Sequence, residues 1–266
     1  MILLINTKLI IFEGIPGSGK TTTSQLLHKY LNENGLDSYN FIEGSEHPID
    51  LPFYAYLSLR EYDALIKRYQ GQAQWLKLNS IVEDNYVLCP YKIPEPYPRN
   101  DMLIEYLSSK EFCYTSNPIV TFDTFKEVFY RRFEKYVAKV INQNEVTIFE
   151  SVLFQHQIHD INRMYPHVSE YEIIEYLRTL ADILTPLNPL LFYISQNSVS
   201  ESLKSTALIR SKPRWSTEET IAYYEKRKAL ELEAMKKLPF QAIVLDNTDY
   251  NWGKMFTNIL HGLSLV

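Results

Sequence analysis

The residues from 14 to 21 read Gly-Ile-Pro-Gly-Ser-Gly-Lys-Thr, which is the spacing G-x-x-x-x-G-K-T. Glycines at these places allow the backbone to turn successive N–H groups inward, and such a nest of donors binds anionic oxygens. Lys20 adds a point charge for the β- and γ-phosphates of a nucleotide, and the hydroxyl of Thr21 can ligate Mg²⁺. The pattern predicts a nucleotide site with ATP and Mg²⁺ as cofactors. Its candidate contacts are Gly14, Pro16, Gly17, Ser18, Gly19, Lys20, Thr21 and Thr22.

The segments that flank this loop have the patterns of a strand and a helix. The stretch 8–13 is short and apolar, as expected of a parallel strand that is buried on both faces. Beyond the loop, Leu27 and Leu31 recur at helical spacing, and Gly35 is a suitable stop. The N-terminus of that helix would face the loop, where its dipole favours an anion. Because the motif requires this context, phosphate binding is favoured over a glycine turn that binds nothing.

Composition and charge disfavour several classes of partner. The 266 residues carry a formal net charge of −5 without a block of Lys or Arg, which argues against nucleic acid or an acidic membrane surface. Cys89 and Cys113 lack a metal-ligand or redox spacing and are interpreted as packing thiols in a reducing compartment. The apolar start is too short for a signal peptide, and no run reaches the roughly 18 residues of a membrane span. We expect a cytoplasmic protein, and the sequence leaves a homodimer open.

Two further predicted strands carry a carboxylate at their end. The stretch 38–44 contains Glu43, and the stretch 145–150 ends on Glu150. Ligands of a parallel sheet bind outside the carboxyl ends of its strands, so both side chains would face the phosphates. Glu43 is then a candidate base for an attacking hydroxyl, and Glu150 a candidate Mg²⁺ ligand, directly or through water. The alternatives are a polar loop at Glu43 and a solvated strand end at Glu150.

Tyrosines and prolines accumulate between residues 45 and 120. One helix is predicted at 60–83 and contains Trp75, whereas the prolines in 90–98 rule out a regular helix there. We interpret the stretch as a helical, aromatic-rich insertion that covers the sheet and builds a substrate pocket. Trp75 can stack on a planar substrate, although packing is the more frequent role of such a residue.

The clearest amphipathic helix is predicted at 121–141. At about 100° per residue, Arg132 falls inside its apolar stripe, so the guanidinium needs either a protein carboxylate or a substrate as partner. Gln155 follows the strand 145–150 and is expected in backbone that lines the cleft. The candidate substrate residues are therefore Glu43, Trp75, Arg132 and Gln155.

A compact basic segment lies within residues 200–216. It contains Arg210, Lys212 and Arg214, which can close over a triphosphate as a lid and stabilise charge on the transferring phosphoryl group. A solvated basic loop is the alternative. The elements predicted around it are a buried strand at 190–194, a helix from a capping box at 216–219 to about 238, and a last strand at 240–246.

The order of these pieces resembles the nucleoside and nucleoside-monophosphate kinases of the P-loop superfamily, with the deoxynucleoside and thymidylate kinase group nearest. Deoxynucleoside kinases carry Glu-Pro-Val after their second strand and Glu-Arg-Ser after their third. Glu43 occupies the position of the glutamate in the first motif. Glu150-Ser151 matches the second motif but lacks its arginine, which Arg132 would replace. The resemblance implies one α/β domain over 1–266 with the P-loop NTPase fold, in which helices flank a parallel five-stranded sheet of order 2-3-1-4-5.

These observations lead to one hypothesis and two alternatives. The hypothesis is a phosphotransferase that moves the γ-phosphoryl group of MgATP to a hydroxyl or phosphate acceptor on a nucleoside, nucleotide or similar small molecule. The alternatives are an ATP-binding protein that sequesters or phosphorylates an antibiotic-like molecule, and an NTP hydrolase. No Asn-Lys-x-Asp signature is present, which disfavours a GTPase. The catalytic candidates are Lys20, Glu43, Arg210 and Arg214, and the candidate metal ligands are Thr21 and Glu150.

Overall fold

A computed structural model describes residues 6–44, 46–97 and 99–265. The apolar start of the chain, on which the absence of a signal peptide is predicted, lies outside the described residues, as do Ser45 and Pro98. The strands are β1 (Leu9–Glu13), β2 (Ser38–Phe41), β3 (Tyr54–Leu57), β4 (Ile81–Val82), β5 (Val87–Pro90), β6 (Val146–Glu150), β7 (Leu190–Ser195) and β8 (Ala242–Asp246). The helices are α1 (Lys20–Glu33), α2 (Leu59–Arg68), α3 (Ala73–Asn79), α4 (Asp101–Ser108), α5 (Phe122–Val140), α6 (Gln155–Met164), α7 (Glu170–Leu184), α8 (Val199–Ile209), α9 (Glu218–Met235) and α10 (Trp252–Gly262), with 3-10 turns at Thr185–Leu187 and Pro213–Ser216.

The described chain divides into two compact units. The first comprises residues 6–44, 128–159 and 168–265, and the second comprises 46–97, 99–127 and 160–167. The second unit thus extends past the predicted insertion at 45–120 and takes in a short piece of chain from beyond β6. None of the helices in the described ranges combines the length and the apolar character that a bilayer crossing requires.

The first unit is built on a five-stranded parallel sheet of order β2-β6-β1-β7-β8. Counted along this sheet alone, the order is 2-3-1-4-5, so the predicted fold class and strand order are confirmed. All five side chains of the central strand β1 are buried, which accounts for its continuous apolar run. The carboxyl ends of β1, β2 and β6 therefore meet at one edge of the sheet.

One face of this sheet packs on α1 and α10. Phe12 of β1 stacks on Phe192 of β7 with ring centroids 5.5 Å apart. Both rings belong to a buried cluster with Leu27 and Leu31 of α1 and Ile259 of α10. The spacing of Leu27 and Leu31 is the helical spacing that the sequence shows, and it places both on the sheet-facing side of α1. α10 itself is not predicted by the sequence analysis.

The opposite face packs on α5 and α9. Successive residues of a strand point to opposite faces of the sheet. The residues next to those that pack on α1 and α10 therefore point to the opposite face. Phe149 of β6 contacts Tyr136 of α5 with ring centroids 5.1 Å apart. Tyr193 of β7 donates its hydroxyl to Glu231 of α9 at 2.5 Å. The helix predicted at 121–141 is confirmed as α5, and this face contains polar groups that the site uses.

The second unit contains an antiparallel sheet that the sequence analysis does not predict. Its order is β3-β5-β4, and it packs with α2, α3 and α4 around a separate apolar cluster. The single helix predicted at 60–83 is wrong. α2 ends at Arg68, a short turn around Gly71 follows, and the end of the stretch pairs with β5 as strand β4. Gly71 weakens helix propagation at that point, and a tertiary strand partner determines the rest.

Candidate active site

The loop between β1 and α1 has a backbone that only glycine accommodates. Gly14 has φ +141° and Gly17 has φ +81°. A Cβ atom on Gly14 would lie 2.4 Å from the carbonyl oxygen of Ile194, and one on Gly17 would lie 1.9 Å from Oγ1 of Thr206. Both the torsion angles and the close neighbours therefore exclude a larger residue. α1 begins directly at Lys20, so its N-terminus faces the loop as predicted.

Lys20 is buried, and each of its ammonium protons has an acceptor. Nζ donates to the carbonyl oxygens of Gly14 at 2.9 Å and Ile15 at 3.2 Å, and to Oε1 of Gln155 at 3.1 Å. Burial lowers the pKa of Lys20, while the carboxylate of Glu43 opposes this effect. The lysine that is predicted to hold phosphate is thus already anchored within the loop and to α6.

Thr21 and Glu150 form the pair that the sequence predicts as metal ligands. The hydroxyl of Thr21 donates to Oε1 of Glu150 at 2.7 Å. Glu150 is only 2% exposed, and its second oxygen, Oε2, has no hydrogen-bond partner among the described residues. A buried carboxylate oxygen without a donor is costly, and a hard cation such as Mg²⁺ satisfies it. These two side chains therefore fit a magnesium ion, although binding of the ion stays a prediction.

Glu43 lies two residues beyond β2 rather than at the end of that strand, because β2 ends at Phe41. The residue is exposed, and partial desolvation of its carboxyl acts to raise the pKa. Lys20, His156 and a hydrogen bond from the side chain of Gln155 outweigh this effect and lower the pKa of Glu43. A carboxylate held ionised beside Lys20 is a suitable proton acceptor at neutral pH.

Glu13 is a site residue that the sequence analysis missed. It is fully buried at the end of β1. Its Oε1 accepts the backbone N–H groups of Leu153 at 2.7 Å and Phe154 at 2.9 Å, and its Oε2 accepts that of Gln155 at 3.2 Å. The carboxyl thus caps the start of α6 and fixes the backbone of Gln155. Burial raises the pKa of Glu13 to about 7, against the lowering effect of these backbone bonds.

A buried ion pair on α9 is the second feature that was missed. Nε of Arg227 lies 2.9 Å from Oε1 of Glu231, and both side chains are almost fully buried. The guanidinium lies 4.7 Å from the centroid of the Tyr224 ring, and Nη2 reaches the Gly14 carbonyl at 3.5 Å. Glu231 also accepts the Tyr193 hydroxyl. Arg227 therefore brings a second buried positive charge to the loop, from a helix rather than from the predicted lid.

The predicted lid residues are at the surface. α8 extends to Ile209, and a turn and a short 3-10 helix follow. Arg210 is exposed, and its guanidinium lies 5.7 Å from the centroid of the Trp215 ring. Burial raises the pKa of Tyr224, and the charges of Arg227 and Arg214 oppose this effect. Closure over a triphosphate and the roles of Arg210 and Arg214 stay predictions.

The remaining candidates occupy varied environments. Arg132 is half-buried on α5, and Thr22 is exposed in the first turn of α1. Trp75 lies in the second unit, packs against the cluster there, and donates its indole N–H to the carbonyl of Pro96 at 3.1 Å. Cys89 and Cys113 are buried free thiols, in agreement with the packing role predicted for them. Substrate contacts of Arg132 and Trp75 stay predictions.

The loop after β8 touches the glycine-rich loop. Asn247 donates its side-chain amide to the carbonyl of Ser18 at 2.8 Å. Gln196 at the end of β7 donates to the hydroxyl of Tyr250 at 3.0 Å. The hydroxyl of Ser18 is buried and has no partner among the described residues, so it remains available to a phosphate oxygen. The position beside a nucleotide base, predicted for 247–250, stays a prediction.

Comparison with known proteins identifies no relative by sequence and finds only distant structural similarity. No protein-family model matches the chain, and no curated protein matches it. Solved structures that align with it include a thymidylate kinase from Ehrlichia chaffeensis, with 14% identity over 97% of this chain and 98% of that chain and a TM-score of 0.43. They also include the YorR protein of Bacillus subtilis in complex with phosphorylated GDP, with 11% identity over 97% and 96% and a TM-score of 0.47. The strand order and the loop geometry of this chain are those of the P-loop NTPase fold.

Replacement of Gly17 by alanine tests the loop. Gly17→Ala and Gly35→Ala both force alanine to a φ near +80°, but a Cβ on Gly35 meets nothing within 4 Å. Both variants therefore bear a backbone strain of about 1 kcal/mol, whereas only Gly17→Ala must shift Thr206 and the loop. We expect MgATP affinity, measured by calorimetry, to fall by roughly tenfold or more in Gly17→Ala, a loss of about 1.4 kcal/mol. Equal affinities for the two variants would contradict the assignment of the loop.

The raised pKa of Glu13 predicts a pH-dependent stability. Because the folded pKa, about 7, exceeds the ordinary value of 4.5, the contribution of this group is fully present below pH 4.5 and is lost as the pH rises through 7. Glu13→Gln removes this loss and keeps an oxygen for two of the three N–H donors. Between pH 5 and pH 8, the free energy of unfolding of the variant relative to the parent should rise by about 2 to 3 kcal/mol. Urea unfolding at both pH values measures it, and a constant difference would contradict a buried neutral carboxyl.

Proposed function

We propose that this chain is an ATP-dependent phosphotransferase that transfers the γ-phosphoryl group of MgATP to a small-molecule acceptor. The observation that carries the proposal is the position of Glu43. Lys20 and the side chain of Gln155 are both close enough to lower the pKa of its carboxyl, and the Gln155 amide accepts a hydrogen bond from Lys20 at 3.1 Å. A base candidate therefore lies one side chain away from the lysine of the phosphate loop, which is the relation that transfer to an acceptor requires.

The residues divide the reaction between them. The N–H groups of the loop and Lys20 would hold the phosphates, and Ser18 would donate its free hydroxyl. Thr21 and Glu150 would hold Mg²⁺, which offsets the charge on the β- and γ-phosphate oxygens when bound. Arg227 would add positive charge from α9, and Arg210 and Arg214 would add it from the predicted lid. Positioning and electrostatics supply nearly all of the catalysis in such a reaction.

Glu43 favours a hydroxyl acceptor over a phosphate acceptor. A phosphate oxygen is already anionic near neutral pH and needs no base, whereas a hydroxyl must lose its proton as it attacks. The pKa of Glu43 is lowered, so its carboxylate is ionised and able to accept that proton. We therefore place hydroxylated molecules such as nucleosides ahead of nucleoside monophosphates, and hydroxylated antibiotics in the same class.

One observation favours a second candidate, an NTP hydrolase. Gln155 lies beside Lys20, and a glutamine near the γ-phosphate can orient an attacking water. The oxygen of this amide accepts a hydrogen bond from Lys20, however, and is not directed at a water site. Glu43 supplies the ionised base that a hydroxyl acceptor needs, so transfer is placed ahead of hydrolysis.

Turnover with an acceptor panel tests the proposal. ADP release from MgATP should rise with at least one nucleoside, nucleoside monophosphate or hydroxylated antibiotic. Glu43→Gln should lower that acceptor-dependent turnover by about 10² to 10⁴-fold, because proton transfer to a base is lost, while MgATP still binds. Glu33→Gln, an exposed carboxylate at the end of α1, is the matched control and should retain parent turnover.

Two results would contradict the proposed function. Phosphate release at a rate that no acceptor changes would show a hydrolase. Tight binding of MgATP together with a small molecule that is never consumed would show a sequestering protein.

A further inference from the structure

We propose that Gln155 is a positioning residue that must leave Lys20 when a phosphate arrives, and that its vacated carbonyl oxygen then accepts a hydrogen bond from the acceptor. This proposal deepens the proposed function and rests on it for the acceptor. The side-chain amide of Gln155 would couple the nucleotide site to the proton acceptor, Glu43.

The first step concerns the donors of Lys20. An ammonium group has three N–H donors, and the acceptors observed are two backbone carbonyl oxygens of the loop and Oε1 of Gln155. A phosphate oxygen that binds Lys20 must therefore displace one of them. The carbonyl oxygens of Gly14 and Ile15 belong to a backbone that is fixed by its glycine conformation and close contacts. Gln155 contributes the only one of the three acceptors that rotation of a side chain can withdraw.

The second step concerns the orientation of the amide. The end of Gln155 that faces the ammonium of Lys20 must be the oxygen, since an NH₂ group there would oppose two donors. The NH₂ end is then directed away from Lys20, and Gln155 lowers the pKa of Glu43, as a donor near its carboxylate does. The charges on the two sides thus fix one orientation. Withdrawal of the oxygen from Lys20 also disturbs the donor that Glu43 receives.

The third step concerns what happens to the freed oxygen. Glu13 holds the backbone N–H of Gln155 at 3.2 Å, so the residue cannot move away as a whole and only its side-chain torsions change. Gln155 is 6% exposed, and a buried oxygen without a donor is unfavourable. An acceptor hydroxyl beside Glu43 is a donor that can satisfy it. Nucleotide and acceptor should therefore bind cooperatively through this amide.

Gln155→Leu tests this mechanism, with Gln157→Leu as the matched control. Gln157 lies on the same helix, is 1% exposed, and accepts the Tyr176 hydroxyl at 2.6 Å, away from Lys20. In Gln155→Leu the backbone cap by Glu13 remains, so the helix should still form. The two variants lose the same amide from the same helix, but only Gln155→Leu frees Lys20.

The first readout is nucleotide affinity, which requires no acceptor. We expect Gln155→Leu to bind MgATP about three- to tenfold more tightly than the parent, because Lys20 no longer has to give up a hydrogen bond. Gln157→Leu should lower the Tm and leave the affinity unchanged. Unchanged or weaker MgATP binding in Gln155→Leu would overturn the proposal. This measurement requires no phosphorylated acceptor, so its outcome does not depend on the proposed function.

The second readout uses an acceptor once one is found. The acidic limb of the kcat/KM profile for MgATP, which reports the nucleotide-free enzyme, should move to higher pH in Gln155→Leu, because the side chain that lowers the pKa of Glu43 is lost. In the parent, saturation with acceptor should increase the affinity for MgATP. In this variant, the affinity for MgATP should be the same with and without acceptor. A profile and a cooperativity equal to those of the parent would overturn the proposal.

Discussion

The buried positive charge of Lys20 is the constraint on which the rest of the site depends. An ammonium that is 5% exposed is tolerated only if carboxylates and carbonyl oxygens compensate for its lost hydration. The main compensating carboxylates, Glu43 and Glu150, come from separate chain segments that lie at the same edge of the sheet as the end of β1. The parallel sheet, with β1 between β6 and β7 and with β2 beyond β6, brings those segments together. The strand order of the sheet therefore determines how the buried charge of Lys20 is compensated.

The same constraint explains why the site contains so many shared contacts. Gln155 accepts a hydrogen bond from Lys20 and lies near Glu43. Glu13 accepts backbone N–H groups at the start of α6, and Arg227 forms an ion pair with Glu231 while it reaches the loop. Among the described residues of the loop and its surroundings, Oε2 of Glu150 and the hydroxyl of Ser18 are buried without a hydrogen-bond partner. These orphaned groups indicate where Mg²⁺ and phosphate would enter, because their desolvation is not yet offset.

Much of the first unit could be predicted because its signals are local. The loop spacing, the apolar run of β1 and the period of α5 each lie within one segment of sequence. Glu13 was missed because it looks like the end of an apolar strand, and its partners lie about 140 residues away. Arg227 and Glu231 look like ordinary exposed helix charges until β7 supplies Tyr193. α7 was also missed, although Ser169 and Glu172 form a capping box that the sequence shows. The antiparallel sheet of the second unit depends on pairing between short segments, which no local pattern reveals.

The central claim is that the γ-phosphoryl group goes to a hydroxyl rather than to water, and phosphorus NMR of the running reaction tests it most directly. With MgATP and the acceptor panel, the account predicts that the γ-phosphate resonance is replaced by a new phosphoester resonance, in step with formation of ADP. Appearance of inorganic phosphate alone, at the same rate with and without acceptor, would contradict the account.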